Sequence, residues 1–239
     1  YVIAGDTIHD MKGYGELTVP QVLTYSSNIG MAKVAEKLGP ELLYSHIIQF
    51  GFGAKTGIDF PGERGGWVRN YKKWPAITLR TMGFGQGVSV TPIQMATALS
   101  AIANGGELVM PYIAEKLIYP DGRERILHRR TLKARAVSKE TARKITELMM
   151  EVVNSGTGTL AQIPGYKVAG KTGTAQKPRP EKFGGGYEPD KWVCSFMGFV
   201  PADHPKLTIV VIIDEPKADF ATGGMIAAPV FQEVAKYAL

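Results

Sequence analysis

Three extended runs lying close together, residues 167–175, 192–200 and 207–213, constrain the fold of this chain more than any other feature. The last two are joined through the return Ala202-Asp203-His204-Pro205, and strands connected so tightly pair antiparallel. Helical signals bracket these strands. Ser138 caps a helix whose apolar stripe runs through Ile145, Leu148, Met149 and Val152 and which Gly156 ends. Residues 226–239 close as a helix, with Val230, Phe231 and Val234 available to pack on the sheet. Upstream, residues 1–51 are largely helical: Thr18 and Gln21 form a capping box, then Ile29, Ala32, Ala35 and Leu38 recur at helical spacing until Gly39-Pro40. Thr91-Pro92-Ile93-Gln94 opens a further helix through Met95, Leu99 and Ile102 to Asn104-Gly105. Residues 61–75 read as an irregular connection, and 108–118 with 125–127 as extended segments around a Pro120-Asp121-Gly122 turn. The pattern is α/β of the α+β type, an antiparallel sheet flanked by helices plus a helical subdomain. A chain of 239 residues with 44% hydrophobic content suits one domain over residues 1–239.

Two short motifs carry chemistry. Lys171-Thr172-Gly173-Thr174 lies on the first of the three strands, where Gly173 lets a peptide-like ligand lie edge-on against backbone and the flanking Lys and Thr side chains point at its carboxylate. Ser26-Ser27-Asn28 lies at a junction between two helices, where side chains project from a rigid base; a serine or asparagine there can equally be a helix cap. Residues 176–190, with Gly184-Gly185-Gly186 at the centre, read as a long loop beside the reactive strand, either a flap or binding lip or a surface loop without function.

The wider run of residues resembles a known family. Gly83-Phe84-Gly85-Gln86-Gly87 through Met95, Ala103-Asn104-Gly105-Gly106, Ser155-Gly156-Thr157-Gly158-Thr159, Ser195 through Ala202 and Ile213-Asp214-Glu215-Pro216 are similar to the transpeptidase domain of class B penicillin-binding proteins. In kind they are most like the septal, cell-division members that cross-link peptidoglycan, and the resemblance runs in order from Gly5 to Ala235. It implies a β-lactamase/D,D-peptidase-like fold and D-alanyl-D-alanine transpeptidation: acylation with loss of D-alanine, then attack by an amine of a neighbouring stem peptide. It implies catalytic roles for Ser26 as proton relay, Asn28 as partner of the substrate amide and Lys171 as the electropositive group. Thr172 and Thr174 would hold the carboxylate of a stem peptide or β-lactam, the Thr174 N–H would serve the oxyanion, and Gly173 would admit the donor strand. The implied partners are peptidoglycan stem peptides, β-lactam antibiotics and division or elongation membrane proteins, with no cofactor. The implied location is the extracytoplasmic face of the cell membrane.

One element of the family pattern is absent from these residues. The family's nucleophile sits in Ser-x-x-Lys, where the lysine one helical turn on can take the serine proton, and no such tetrad occurs here. Thr141-Ala142-Arg143-Lys144 is the nearest imitation but lies on an ordinary amphipathic helix. The expectation is that the nucleophile, and any membrane anchor, lie upstream of Tyr1; residues 1–6 show no signal peptide, and the apolar run Leu207–Ile213 is too short to span a bilayer. A D,D-carboxypeptidase, or a non-catalytic penicillin-binding or sensor fragment, stands as the alternative. A class A β-lactamase is disfavoured, because no Glu is followed four residues later by Asn.

Composition narrows the remaining classes. The net charge of +6 is scattered apart from Arg123–Arg135, which reads as a solvated hairpin arm and not a nucleic-acid surface. His9, His46, His128 and His204 show no zinc-ligand spacing, and the lone Cys194 excludes an internal disulfide.

Overall fold

The computed structural model describes residues 1–3, 5–179, 185–218 and 221–239. In chain order its elements are β1 (Val2–Ile3), β2 (Asp6–Thr7), α1 (Val19–Thr24), α2 (Asn28–Leu38), α3 (Pro40–Gln49), β3 (Trp67–Val68) and α4 (Ala76–Gly83). There follow β4 (Val88–Ser89), α5 (Pro92–Ala103), β5 (Glu107–Met110), β6 (Lys116–Ile118), β7 (Glu124–Ile126), β8 (Thr131–Arg135) and α6 (Lys139–Asn154). The chain ends with β9 (Ala169–Pro178), β10 (Tyr187–Val200), β11 (Leu207–Asp214) and α7 (Gly223–Ala238).

The three expected strands form one antiparallel sheet in the order β11-β10-β9, so the strand carrying Lys171 lies at an edge. Alternation along β10 sends side chains to two separate cores. Phe196 and Val200 turn toward α7, where the Phe196 and Phe231 rings meet at 4.8 Å between centroids. Phe199 and Met197 turn the other way, onto Leu99 of α5 and Met149 of α6. Phe196, Phe199 and Phe231 are fully buried, each worth about 1.5–3 kcal/mol relative to exposure. The sheet is therefore a central layer held by one helix on one face and two on the other.

Local signals set the helix starts. Thr18 N donates to Gln21 Oε1 at 2.9 Å and Thr91 N donates to Gln94 Oε1 at 2.9 Å, the two expected capping boxes. Ser138 Oγ accepts from Thr141 N at 3.0 Å, capping α6. The Thr141-to-Lys144 imitation lies on that helix's exposed face, where Lys144 pairs with Glu140 at 2.7 Å and Arg143 pairs with Glu147.

Four expectations need correction. First, α7 begins at Gly223, capped by Thr222, and its buried face is Ala227, Ala228, Phe231 and Ala235, whereas Val230 and Val234 are 41% and 47% exposed. The helix lies so close to the sheet that alanines fit and valines do not: a Cβ at Gly198 of β10 would stand 3.0 Å from the Phe231 ring. Second, residues 176–178 and 187–190 are strand, because opposite charges extend the pairing beyond the apolar stretch: Lys177 meets Asp214 at 3.1 Å and Glu215 at 2.7 Å, and Arg179 meets Glu188 at 3.7 Å. Residues 180–184, on which the flap reading centres, lie outside the described residues. Third, 108–118 breaks after Met110 at Pro111, which has no N–H to donate, and the Asp59 carboxylate takes Ile113 N at 2.6 Å and Ala114 N at 3.0 Å. Fourth, only part of the basic run is the expected hairpin, β6 with β7; Thr131–Arg135 is a strand on β5, where Arg130 and Arg135 clasp Glu107 at 2.5 and 2.8 Å.

Candidate active site

The α1–α2 junction is where the helical subdomain meets the sheet. Ser26 sits there with φ of 56°, a left-handed conformation that costs a non-glycine residue on the order of 1–2 kcal/mol. Ser26 N donates to Leu23 O at 3.2 Å and Ser27 N to Val22 O at 2.9 Å, which closes the end of α1 behind the bend. The two serines divide the work. Ser27 is the N-cap of α2, its Oγ accepting from Gly30 N at 2.9 Å, so the capping role falls on the middle residue of the triplet. Ser26 is left to turn its hydroxyl toward the sheet. Asn28, the first residue of α2, donates from Nδ2 to His9 O at 3.0 Å.

Across the gap, Lys171 on β9 donates from Nζ to Ser26 Oγ at 2.7 Å, to Thr172 O at 3.0 Å and to Thr172 Oγ1 at 3.4 Å. Burial is the cause that lowers its ammonium from the ordinary 10.5 to about 8. A lysine in that range still carries its positive charge at neutral pH, and it donates a hydrogen bond to the Ser26 hydroxyl.

The threonines of the box are held from the other side. Thr172 Oγ1 shares a hydrogen bond with Thr157 Oγ1 at 2.7 Å, and Thr174 Oγ1 accepts from Gly223 N, at the start of α7, at 2.9 Å. A Cβ at Gly173 would stand 2.5 Å from the rotatable Oγ of Ser195, its ladder partner on β10, whereas one at Gly223 would strike the Gly173 and Ser195 carbonyls.

Two contributors were missed in the sequence. Thr157 follows Gly156, where a Cβ would collide with the Thr24 carbonyl, and Thr157 N donates to that carbonyl at 3.3 Å. This contact presses the end of α6 onto the end of α1 and brings the Ser26 bend to β9. The start of α7 at Gly223-Gly224 is the second, and the paired glycines were the available signal. The contacts bring the Ser26 hydroxyl of the α1–α2 junction to the Lys171 ammonium and the Thr172 hydroxyl of β9, with Thr174 two residues further along the same strand, while the Asn28 amide at the start of α2 is held by His9 O. Such a set can bind a carboxylate and pass a proton. The nucleophile of the family pattern is not among these residues.

Comparison with known proteins shows the family. A family model described as the penicillin-binding protein transpeptidase domain matches residues 3–236. Stage V sporulation protein D of Bacillus subtilis is 41% identical over 228 residues, covering 95% of this chain and 35% of that protein. A probable peptidoglycan D,D-transpeptidase, PenA, of Neisseria gonorrhoeae is 33% identical over 98% of this chain and 38% of its own length. Among solved structures, penicillin-binding protein 3 of Mycobacterium tuberculosis in complex with aztreonam superposes with a TM-score of 0.89 at 36% identity, covering 98% of this chain and 54% of that one. The apo transpeptidase domain of penicillin-binding protein 3 from Burkholderia pseudomallei gives 0.86 at 35% identity, with 100% and 69% covered. The chain spans between about a third and just over half the length of the first curated relatives it matches. Among the described residues no helix is long and apolar enough to cross a membrane.

Proposed function

This chain belongs to the penicillin-binding protein transpeptidase family, and on that premise we propose that it forms most of the acyl-transfer domain of a peptidoglycan D,D-transpeptidase, a target of β-lactams. The observation that carries the reading is the 2.7 Å contact between Lys171 Nζ and Ser26 Oγ, two motifs 145 residues apart meeting at one point. In this reading a serine of a Ser-x-x-Lys segment, outside these 239 residues, attacks the penultimate D-alanine carbonyl of the donor stem peptide. Its oxygen forms the acyl bond as the peptide C–N bond breaks, and the leaving D-alanine amine takes a proton relayed through Ser26. Lys171 keeps the relay electropositive, while Thr172 and Thr174 receive the terminal carboxylate and the Thr174 N–H supports the oxyanion. Asn28 holds the donor's backbone amide. An amine of a neighbouring stem peptide then takes the acyl group. Relatives known as probable peptidoglycan D,D-transpeptidases favour cross-linking over simple hydrolysis. We place the protein with the septal members, on the extracytoplasmic face of the cell membrane, working with division or elongation membrane proteins.

The test is covalent labelling. The 239-residue chain forms no adduct with a fluorescent penicillin, whereas a protein carrying it together with Ser-x-x-Lys forms a one-to-one acyl adduct by intact mass. A stoichiometric adduct on the short chain, or none on the longer protein, refutes the proposal.

A further inference from the structure

Residues 8–14 have no regular secondary structure, yet His9, Asp10 and Tyr14 among them touch the Ser26 bend or its neighbours. Asp10 Oδ2 accepts from Ser27 Oγ at 2.7 Å and Asp10 Oδ1 from Ile29 N at 3.0 Å, so one carboxylate spans the residues on either side of Asn28. The carbonyl next to it, His9 O, takes the Asn28 amide at 3.0 Å. Tyr14 stacks on Tyr25, the residue before Ser26, at 5.5 Å and 11° between ring planes. Ile8, at the start of the segment, is 6% exposed and roots it in the protein. Among the described residues no lysine or arginine pairs with Asp10; its partners are a hydroxyl and a backbone N–H at the positive end of α2.

We infer that Asp10 is a positioning residue for the acyl-transfer site, a brace whose carboxylate holds the Ser26-Ser27-Asn28 turn in the geometry that presents the Ser26 hydroxyl to Lys171. This rests on the function proposed above. The physical need is clear from the backbone: a left-handed serine persists only where its surroundings over-determine it, and α1 secures only the near side of the bend through Val22 and Leu23. Asp10 secures the far side. By donating to Asp10, the Ser27 hydroxyl is also turned so that its lone pairs face Gly30 N, which couples the cap of α2 to the brace. Without the carboxylate, Ser27 keeps its cap but the turn gains freedom, and Ser26 and Asn28 move together, because one is flanked by Ser27 and the other gripped by the neighbouring carbonyl. Displacements of about 1 Å at a reacting centre cost on the order of 100-fold in rate.

The experiment uses the protein carrying this chain together with its Ser-x-x-Lys nucleophile. Acylation by a fluorescent penicillin is followed over a range of concentrations for Asp10→Ala, Asp10→Asn and a matched control, Thr91→Ala, which removes the cap of α5 far from the site in function. Asp10→Ala lowers the limiting acylation rate on the order of 10- to 100-fold. Asp10→Asn, which keeps one acceptor for Ile29 N, falls between it and the parent. Thr91→Ala lowers the melting temperature comparably and acylates at the parental rate. Asp10→Ala acylating within about twofold of the parent overturns the inference, as does Thr91→Ala slowing as much as Asp10→Ala. If Asp10→Ala does not fold, Asp10→Asn decides: parental rates at reduced stability make Asp10 a helix cap and nothing more. A parent that forms no adduct counts against the proposed function instead.

Discussion

Lys171→Met separates what the buried ammonium costs the fold from what it does for the site. Lowering the lysine from 10.5 to about 8 corresponds to a cost of roughly 3 kcal/mol for keeping it charged in the folded state. Against that stand two lost hydrogen bonds, from Nζ to Ser26 Oγ and to Thr172 O, worth about 1 kcal/mol each. At pH 7 the variant is therefore more stable by about 1 kcal/mol. The sign follows from proton counts. Between pH 8 and 10.5 the unfolded chain keeps the Lys171 proton and the folded chain has lost it, so the parent's stability rises with pH across this window. Methionine does not titrate, so the variant's advantage disappears and reverses, by about 2 kcal/mol at pH 10.5. Urea unfolding of both proteins at fixed pH values from 6.5 to 10.5 reads the difference directly, since every other titrating group is common to both. A difference that stays flat across this range would falsify the assignment of a burial-lowered lysine at this position. In the nucleophile-bearing protein the same substitution slows acylation by about 100-fold or more, the loss of a preorganised electrostatic group. Stability gained where activity is lost is the pattern of a site residue.

Two further substitutions test how the box is built. Thr174→Val deprives Gly223 N of its acceptor and lowers stability by about 1–2 kcal/mol even where no ligand is present; an unchanged urea midpoint would show that β9 and α7 are not tied at this point. Gly223→Ala forces a methyl onto the Gly173 and Ser195 carbonyls and costs about 3 kcal/mol, with slower acylation in the longer protein as α7 retreats from the strand edge. An alanine protein with parental melting temperature would mean that α7 does not approach the sheet as closely as described.

What could be read from the residues alone depended on how far each partner lies along the chain. Caps were legible because donor and acceptor are three residues apart: Thr18 with Gln21, Thr91 with Gln94 and Ser138 with Thr141 all form as expected. The antiparallel pairing of β10 with β11 followed from their short return, whereas that of the Lys171 strand with β10, across residues 176–190, had no such local signal. The buried face of α7 did not, because that helix is apolar on most sides, and the choice among Val230, Phe231 and Val234 was made by Gly198 on β10. The strand Thr131–Arg135 was hidden by its charges, three of whose partners, Glu107, Lys55 and Thr56, lie elsewhere in the chain.

The hardest residue to read was Ser26, for a chemical reason. Capping and proton relay both ask for a serine beside a helix start, so residue type cannot separate them. Backbone conformation does: a cap sits in the extended region, as Ser27 does with φ of −71° and ψ of 115°, while Ser26 at φ of 56° cannot cap. The doubled serine is what permits the division, since with only one serine the α2 N-terminus and Lys171 would compete for a single hydroxyl. The second serine lets the cap and the contact with Lys171 fall on different residues, and Asp10 binds the capping serine and not the one that meets Lys171, so the brace proposed for it would act on the side of the turn away from that contact.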